Sequence, residues 1–347
     1  LKRLLFNISE IQINSINHRI RNKNSKKMET MKTRIESDLI GAREIPMECK
    51  YGVQTLRAID NFPITGIGIN RYPNIVKYLG VIKKAAAVAN YETGKISKEI
   101  YEGIVKACDD VIAGKYNDQF PVDVIQGGAG TSTNMNANEV IANVALEYMG
   151  HQPGQYEFCS PNDHVNGSQS TNDAYPCAVH LAMYADHLEM VKHLDMLIES
   201  LEKKAEEYKN IIKMGRTQLQ DAVPMTLGLT FNAFAQSMKN EKAHLLEAAK
   251  ELLYSNMGAT AIGTGICSTL EYREVCLRAL REITGWDIQL AKDFVQATSD
   301  ATPMLVYSSA LRTLCTSLCK VCNDLRLMSS GPRCGLGEIS LPALQPG

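Results

Sequence analysis

Residues 176–214 read PCAVHLAMYADHLEMVKHLDMLIESLEKKAEEYKNIIKM, with no glycine anywhere and no proline after the first residue. Met190, Leu194, Leu197, Leu201, Tyr208 and Ile211 step by threes and fours, apart from one seven-residue gap. That spacing marks a single apolar helix face. It predicts one long helix from Pro176 to Met214, with Pro176 in the first turn and Gly215 just past the end. Thr226–Tyr254 reads as a second long helix. Pro303–Ser330 reads as a third, with Leu311, Leu314, Leu318, Val321, Leu325 and Met328 on one face and Gly331 beyond it. Upstream, Ile100, Ile104, Cys108, Val111 and Ile112 keep the helical period between Ser97, placed to cap the start, and Gly114, placed to end it. Helices this long cannot bury their stripes on a small globule, so a bundle is expected, with stripes wide enough to be shared between subunits. The fold class is therefore mainly α. A small N-terminal domain, residues 31–165, precedes a long-helix bundle in residues 166–347. Strand signal is confined to short stretches before residue 73.

Bulk properties exclude several classes of function. The 37 Lys and Arg nearly balance the 38 Asp and Glu, so no whole-chain field attracts nucleic acid or an anionic membrane. Apolar residues at 45% and charged residues at 22% are ordinary for a globular protein, and no apolar run approaches the ~18 residues that span a bilayer. A cytoplasmic location is expected. The ten cysteines are scattered and read as reduced, small apolar side chains. Cys315, Cys319 and Cys322 have a spacing that can hold an iron–sulfur cluster, but they fall inside an unbroken helical pattern. A packed helix face is expected there instead. Residues 1–30 are basic, with Glu10 the only acid before Met28. An organelle transit peptide is one reading. A disordered extension, or sequence upstream of a start at Met28 or Met31, is the plainer one, and the segment is excluded from the fold.

Three patches share an odd composition. Gln126–Asn136 (QGGAGTSTNMN), Gly167–Asp173 (GSQSTND) and Gly215–Gly228 (GRTQLQDAVPMTLG) are rich in glycine, hydroxyls and amides and nearly free of charge. Neutral donors of this kind suit a site that holds carboxylates and stabilises extra negative charge. Ser170, Thr171 and Asn172 stand before a long helix, whose unpaired N–H groups attract anions. Simple N-capping accounts for one of the three but not for the run. Gly127–Gly130 lacks the lysine of a phosphate loop; with Thr131, Ser132 and Asn134 it fits close backbone approach to a small ligand, or a plain turn before the next helix. Thr217 and Gln218 follow Gly215, and a helix C-cap explains that glycine but not the polar pair. There is no HExxH and no G-x-S-x-G. His164 reads as a structural hydrogen-bonder, and no metal ligand set is expected.

Taken together, IESDLIGAREIP, YGVQTLRAIDNF, QFPVDVIQGGAGTSTNMNANEV, PNDHVNGSQSTNDAYP, MGRTQLQDAVPMTLG, NMGATAIGTG and CNDLRLMSSGPRCGLGEISLP resemble the aspartase/fumarase superfamily almost continuously from Arg34 to Gly347. Within it the chain is most similar to the aspartate ammonia-lyases. Class II fumarases typically read GSGTQ and GRTH where this chain has GAGTS (Gly128–Ser132) and GRTQ (Gly215–Gln218). Some aspartases carry His at the Gln218 position, which excludes an essential proton-carrying role there.

The resemblance implies deamination of L-aspartate to fumarate and ammonia through a carbanion held as an aci-carboxylate. Ser170 and Thr171 would bind the β-carboxylate. Thr131, Asn172 and Gln218 would surround the amino group, and Thr217 would reach the α-carboxylate. It also implies a homotetramer whose sites draw on three subunits, and chemistry that needs no cofactor, with a divalent cation such as Mg²⁺ in at most an activating role. The family's serine base lies in an SSxMPxKxNP loop expected just after Gly347. The bundle is thus expected to be incomplete at its C-terminal end, and residues 1–347 alone to show no turnover. Neither Ser329 nor Ser330 is promoted to base. Three alternatives are a class II fumarase acting on malate, a non-catalytic oligomeric subunit lacking the serine loop, and a succinyl-substrate lyase. TQLQDAVPMTLG disfavours the last.

Overall fold

The computed structural model describes residues 32–346, so the basic stretch 1–30 lies outside it. The chain divides into two compact units, one made of residues up to Val76 with Ala86–Gly167, the other of Lys77–Ala85 with Ser168 onward.

The first unit opens with an antiparallel hairpin, β1 (Thr33–Asp38) and β2 (Gly41–Pro46). Helices α1 (Val53–Asn61), α2 (Pro73–Glu92), α3 (Lys98–Ile112) and α4 (Thr131–Tyr148) follow. Residues 77–85 of α2 belong to the second unit. Ser97 caps α3 by accepting a hydrogen bond from Ile100 N at 3.3 Å, and Gly114 takes up φ +80° beyond its end. Helix α4 is buried on every side from Thr133 to Leu146, including four asparagines and Glu139. A helix without an exposed face has no amphipathic stripe, and each of its polar groups needs a partner. Glu139 has four: its carboxylate accepts Gly52 N (2.8 Å), Gln54 N (2.8 Å), Thr55 N (3.0 Å) and Thr55 Oγ1 (2.6 Å). The orphan donors at the start of α1 are thereby satisfied by a side chain of α4.

The second unit is built on three long helices, α5 (Thr171–Glu207), α6 (Leu227–Lys250) and α9 (Thr302–Met328). Between them lie hairpin β3 (Ile212–Thr217) and β4 (Gln220–Thr226), a short parallel pair β5 (Tyr254–Ser255) and β6 (Gln289–Leu290), and helices α7 (Leu270–Thr284) and α8 (Phe294–Ser299). Leu194, Ile198 and Leu201 of α5, Phe231, Phe234, Met238 and Leu245 of α6, and Tyr307, Leu314, Val321 and Met328 of α9 form one buried cluster. Each such side chain contributes about 1.5–3 kcal/mol by leaving water. The mainly α, bundle-based architecture read from the stripes is the one observed.

Four sequence expectations are corrected. First, α5 starts at Thr171, so Pro176 lies inside it rather than in its first turn. Proline has no N–H for the carbonyl four residues back. That carbonyl, Asn172 O, instead accepts from Asn256 Nδ2 at 3.2 Å. Second, α5 ends at Glu207 rather than Met214, and Gly215 sits in strand β3. The freed carbonyls of Tyr208 and Ile211 accept Gly228 N (3.0 Å) and Leu227 N (2.8 Å) from the start of α6. A side chain at Gly228 would stand 2.5 Å from Ala205 O, so only glycine allows this junction. Third, strands occur well after residue 73. Fourth, Cys315, Cys319 and Cys322 lie on α9 as expected of a helix, but exposed rather than packed. The leucine stripe one position away takes the core face.

Candidate functional site

Ser170 is the N-cap of α5 and closes a capping box. Its Oγ accepts from Asn172 N at 3.2 Å, and Asp173 Oδ1 accepts from Ser170 N at 2.9 Å. Because the Ser170 oxygen acts as acceptor, its hydroxyl proton is left to donate. Asp173 is fully buried, and its Oδ2 accepts from Thr260 N (2.9 Å) and Gly258 N (3.2 Å). Burial raises its pKa, while the hydrogen bonds from Ser170 and Thr260 and the charge of Lys83 oppose the rise. Asn172 is exposed, and its Nδ2 donates to Ala261 O at 2.7 Å, which leaves Oδ1 as its acceptor end. Ser170, Thr171 and Asn172 are thus brought together at one helix start and locked to the Gly258–Ala261 segment.

Thr217 and Gln218 sit at the tip of the β3–β4 hairpin, exposed. Thr217 pairs with Gln220, so Gln218 and Leu219 form a two-residue turn with φ of 49° and 65°. Left-handed conformation at both positions defines a type I′ turn, whose twist matches the strands but which disfavours side chains other than glycine or asparagine. Such strain, of order 1 kcal/mol or more per residue, collects at functional sites. Gly215 occupies the bulge between Met214 and Arg216, where a Cβ would lie 2.7 Å from Val223 O. The hairpin is held by Glu338, which pairs with Arg216 through both oxygens (2.5 and 3.1 Å) and with Lys213 at 3.3 Å. We predict that Glu338→Ala weakens this anchor by about 1–3 kcal/mol. Amide exchange at the Thr217–Gln220 turn should then accelerate at least several-fold, and an unchanged rate would show that the hairpin holds itself.

Helix α5 separates these two groups. Thirty-seven helical residues rise about 55 Å. Ser170 stands at one end, while the base of the hairpin is hydrogen-bonded to the other. A hairpin with six-residue strands reaches back about 20 Å at most. Within one chain, the hairpin tip and the Ser170–Asn172 run therefore stand at least about 35 Å apart.

Thr131 lies in the first unit, at the exposed start of α4. Gly128, Ala129 and Gly130 all take positive φ (72°, 48° and 95°), and Thr131 Oγ1 donates to Gly128 O at 2.5 Å. Its oxygen lone pairs remain as acceptors. Gln126 pairs with Thr133 through Oε1 (2.8 Å) and Nε2 (2.6 Å), fixing the first turn. His164 Nδ1 accepts from Ser160 N at 2.9 Å. No group of three His, Cys, Asp or Glu side chains suited to hold a metal ion occurs among the described residues.

Sequence reasoning missed Lys83, Gln169, Asp173 and Asn256. Asp173 was findable, since S-T-N-D fits the capping-box spacing. Lys83 offered only a lysine among apolar neighbours, in VIKKAAAVAN.

Uncharged hydroxyl and amide groups thus gather at the start of α5 and at the β3–β4 turn. The chain belongs to the lyase family, whose model matches residues 41–347. It is 52% identical to the aspartate ammonia-lyase of Escherichia coli strain K12 over 90% of this chain, and spans 66% of that protein's length. It is 51% identical to the aspartate ammonia-lyase of Helicobacter pylori strain 26695, covering 90% of this chain and 67% of that one. Among solved structures it resembles a fumarate lyase:delta crystallin from Brucella melitensis (TM-score 0.89, 48% identity, 91% of this chain and 69% of that chain). A class II fumarase from Schistosoma mansoni matches with TM-score 0.84 and 33% identity, over 91% of this chain and 69% of that chain.

Proposed function

We propose that the complete protein is an aspartate ammonia-lyase, converting L-aspartate to fumarate and ammonia. The observation that carries this reading is the 52% and 51% identity to aspartate ammonia-lyases over 90% of the chain, set against 33% to a class II fumarase. On this reading Ser170 and Thr171 hold the β-carboxylate with hydroxyl donors. Thr131, Asn172 and Gln218 surround the amino group. Thr131 and Asn172 both keep acceptor atoms because their donors are tied to Gly128 O and Ala261 O, which suits an ammonium. Thr217 reaches the α-carboxylate.

A base removes the Cβ proton, and the electron pair delocalises into the β-carboxylate. That pair then returns to form the Cα=Cβ bond as the C–N bond breaks, and the C–N pair leaves on nitrogen as ammonia. On the family pattern the base is a serine of an SSxMPxKxNP loop. Donors already aimed at the carboxylate stabilise its second negative charge without reorganising, worth about 3–4 kcal/mol for one well-placed donor.

The reading includes a homotetramer. Its support is the separation along α5: one small substrate can meet both Ser170–Asn172 and Thr217–Gln218 only if different copies supply them. Apolar exposure supports it too, as Leu305 is 64% exposed on α9 and Cys315, Cys319 and Cys322 of the same helix are exposed as well. In the assembled protein these three thiols should resist a thiol reagent and react on unfolding. Rapid native labelling of all three would argue against a shared bundle.

The reading is tested by following fumarate absorbance with the product of the complete open reading frame, offered L-aspartate or L-malate separately. Fumarate from aspartate alone supports the ammonia-lyase. Fumarate from malate alone would replace it with a hydratase, and no turnover of either would favour a binding subunit.

A further inference from the structure

Lys83 is fully buried on α2, and its Nζ donates to Gln169 Oε1 at 2.9 Å. Gln169 directly precedes Ser170. Four positions on, fully buried Asp173 accepts from Ser170 N, Thr260 N and Gly258 N. Residues 169–173 are therefore held from beneath by one cation and one carboxylate, neither reaching solvent. An ammonium buried without compensation costs several kcal/mol, so a lysine kept at 0% exposure requires a partner charge. Lys83 acts electrostatically on Asp173.

We propose that Lys83 is a positioning residue for the site: through Gln169 and the Asp173 carboxylate it fixes the Ser170–Asn172 turn, so that these donors are aimed at a substrate carboxylate. This rests on the reading above that the turn binds a carboxylate. The other titratable groups facing Asp173 are Cys177 on α5 and Tyr272 and Cys276 on α7, and burial keeps all three protonated. Without Lys83, burial acts on Asp173 with less opposition and its pKa rises further. Once protonated, its carboxyl accepts the three backbone donors far more weakly and adds an O–H that needs an acceptor of its own, so the turn loosens. Binding would then fail as pH falls through the raised pKa, so the acid limb moves to higher pH.

The test uses the complete open reading frame product, with fumarate as the probe in calorimetric titrations across pH. Lys83→Met is expected to shift the acid limb of fumarate affinity upward by about one pH unit or more. Near neutral pH it should weaken fumarate binding about tenfold. Asp173→Asn should abolish that limb. In the double variant Lys83→Met/Asp173→Asn, affinity should be no worse than in Asp173→Asn alone. An unmoved acid limb, or a double variant weaker than both singles by the product of their effects, would overturn the proposal. If Lys83→Met does not fold, the comparison of Asp173→Asn with the double variant decides in the same way. Turnover of aspartate by the unsubstituted protein separately tests the functional reading, since fumarate binding is scored without turnover.

Discussion

The complete protein carrying Thr171→Ala is expected to form fumarate from L-aspartate about 100- to 1,000-fold more slowly in kcat. Its melting temperature should stay within about 2 °C of the parent. The two readouts separate because of how α5 begins. The cap belongs to Ser170 and Asp173, which bond to Asn172 N and Ser170 N. Thr171 therefore contributes a hydroxyl without carrying the cap. Ser170→Ala would remove a donor and the cap together, losing about 1 kcal/mol of stability besides activity. A fall in kcat with unchanged KM would place the Thr171 interaction in the transition state, where charge grows on the carboxylate. A rise in KM alone would mean uniform binding, and a change below about threefold would remove Thr171 from the site.

The sequence made the bundle legible because its helices have one dry face each, and a 3.6-residue period survives in a single chain. The starts of α6, capped by Thr226, and of α9, with Pro303 in its first turn, were readable as well. The end of α5 was not. Tyr208 and Ile211 continue the helical spacing, yet their carbonyls are claimed by Gly228 and Leu227, a long-range closure that periodicity cannot report. The β3–β4 hairpin was hidden because its turn is Gln218-Leu219 rather than Asn-Gly, and its strands are largely exposed. The donor clusters could be read from composition, since runs of hydroxyls and amides without charge are unusual. Their support could not. Lys83 and Lys84 are adjacent lysines, and only the packed structure tells which of them is buried beneath Gln169. Helix α4 shows the same limit, for its buried asparagines and Glu139 look like solvent-facing residues until α1 is laid against them.

Glu139→Ala is expected to cost the first unit more than about 4 kcal/mol, measured as the denaturant midpoint of its unfolding transition. The deletion strands four buried donors: the N–H groups of Gly52, Gln54 and Thr55 and the Thr55 hydroxyl. Each unsatisfied buried donor costs about 1–3 kcal/mol. An opposing effect sets the size of the net loss. Glu139 is itself fully enclosed, and burial pushes its pKa up to about 7 against the pull of those donors. The intact arrangement is therefore far less favourable than four hydrogen bonds suggest, but removing one side of a buried polar network is much worse than never building it. Gly52→Ala probes the same point from the opposite direction. Its Cβ would lie 2.5 Å from Glu36 Oε2, 2.6 Å from Tyr156 Oη and 2.8 Å from Glu139 Cδ. Both variants should also disturb Thr131, because Glu139 lies about two turns along the helix that Thr131 begins. A loss below about 1.5 kcal/mol for Glu139→Ala would mean that water satisfies the freed donors. In that case α1 would be held chiefly by its apolar contacts, Val53 and Ala58, and not by the carboxylate.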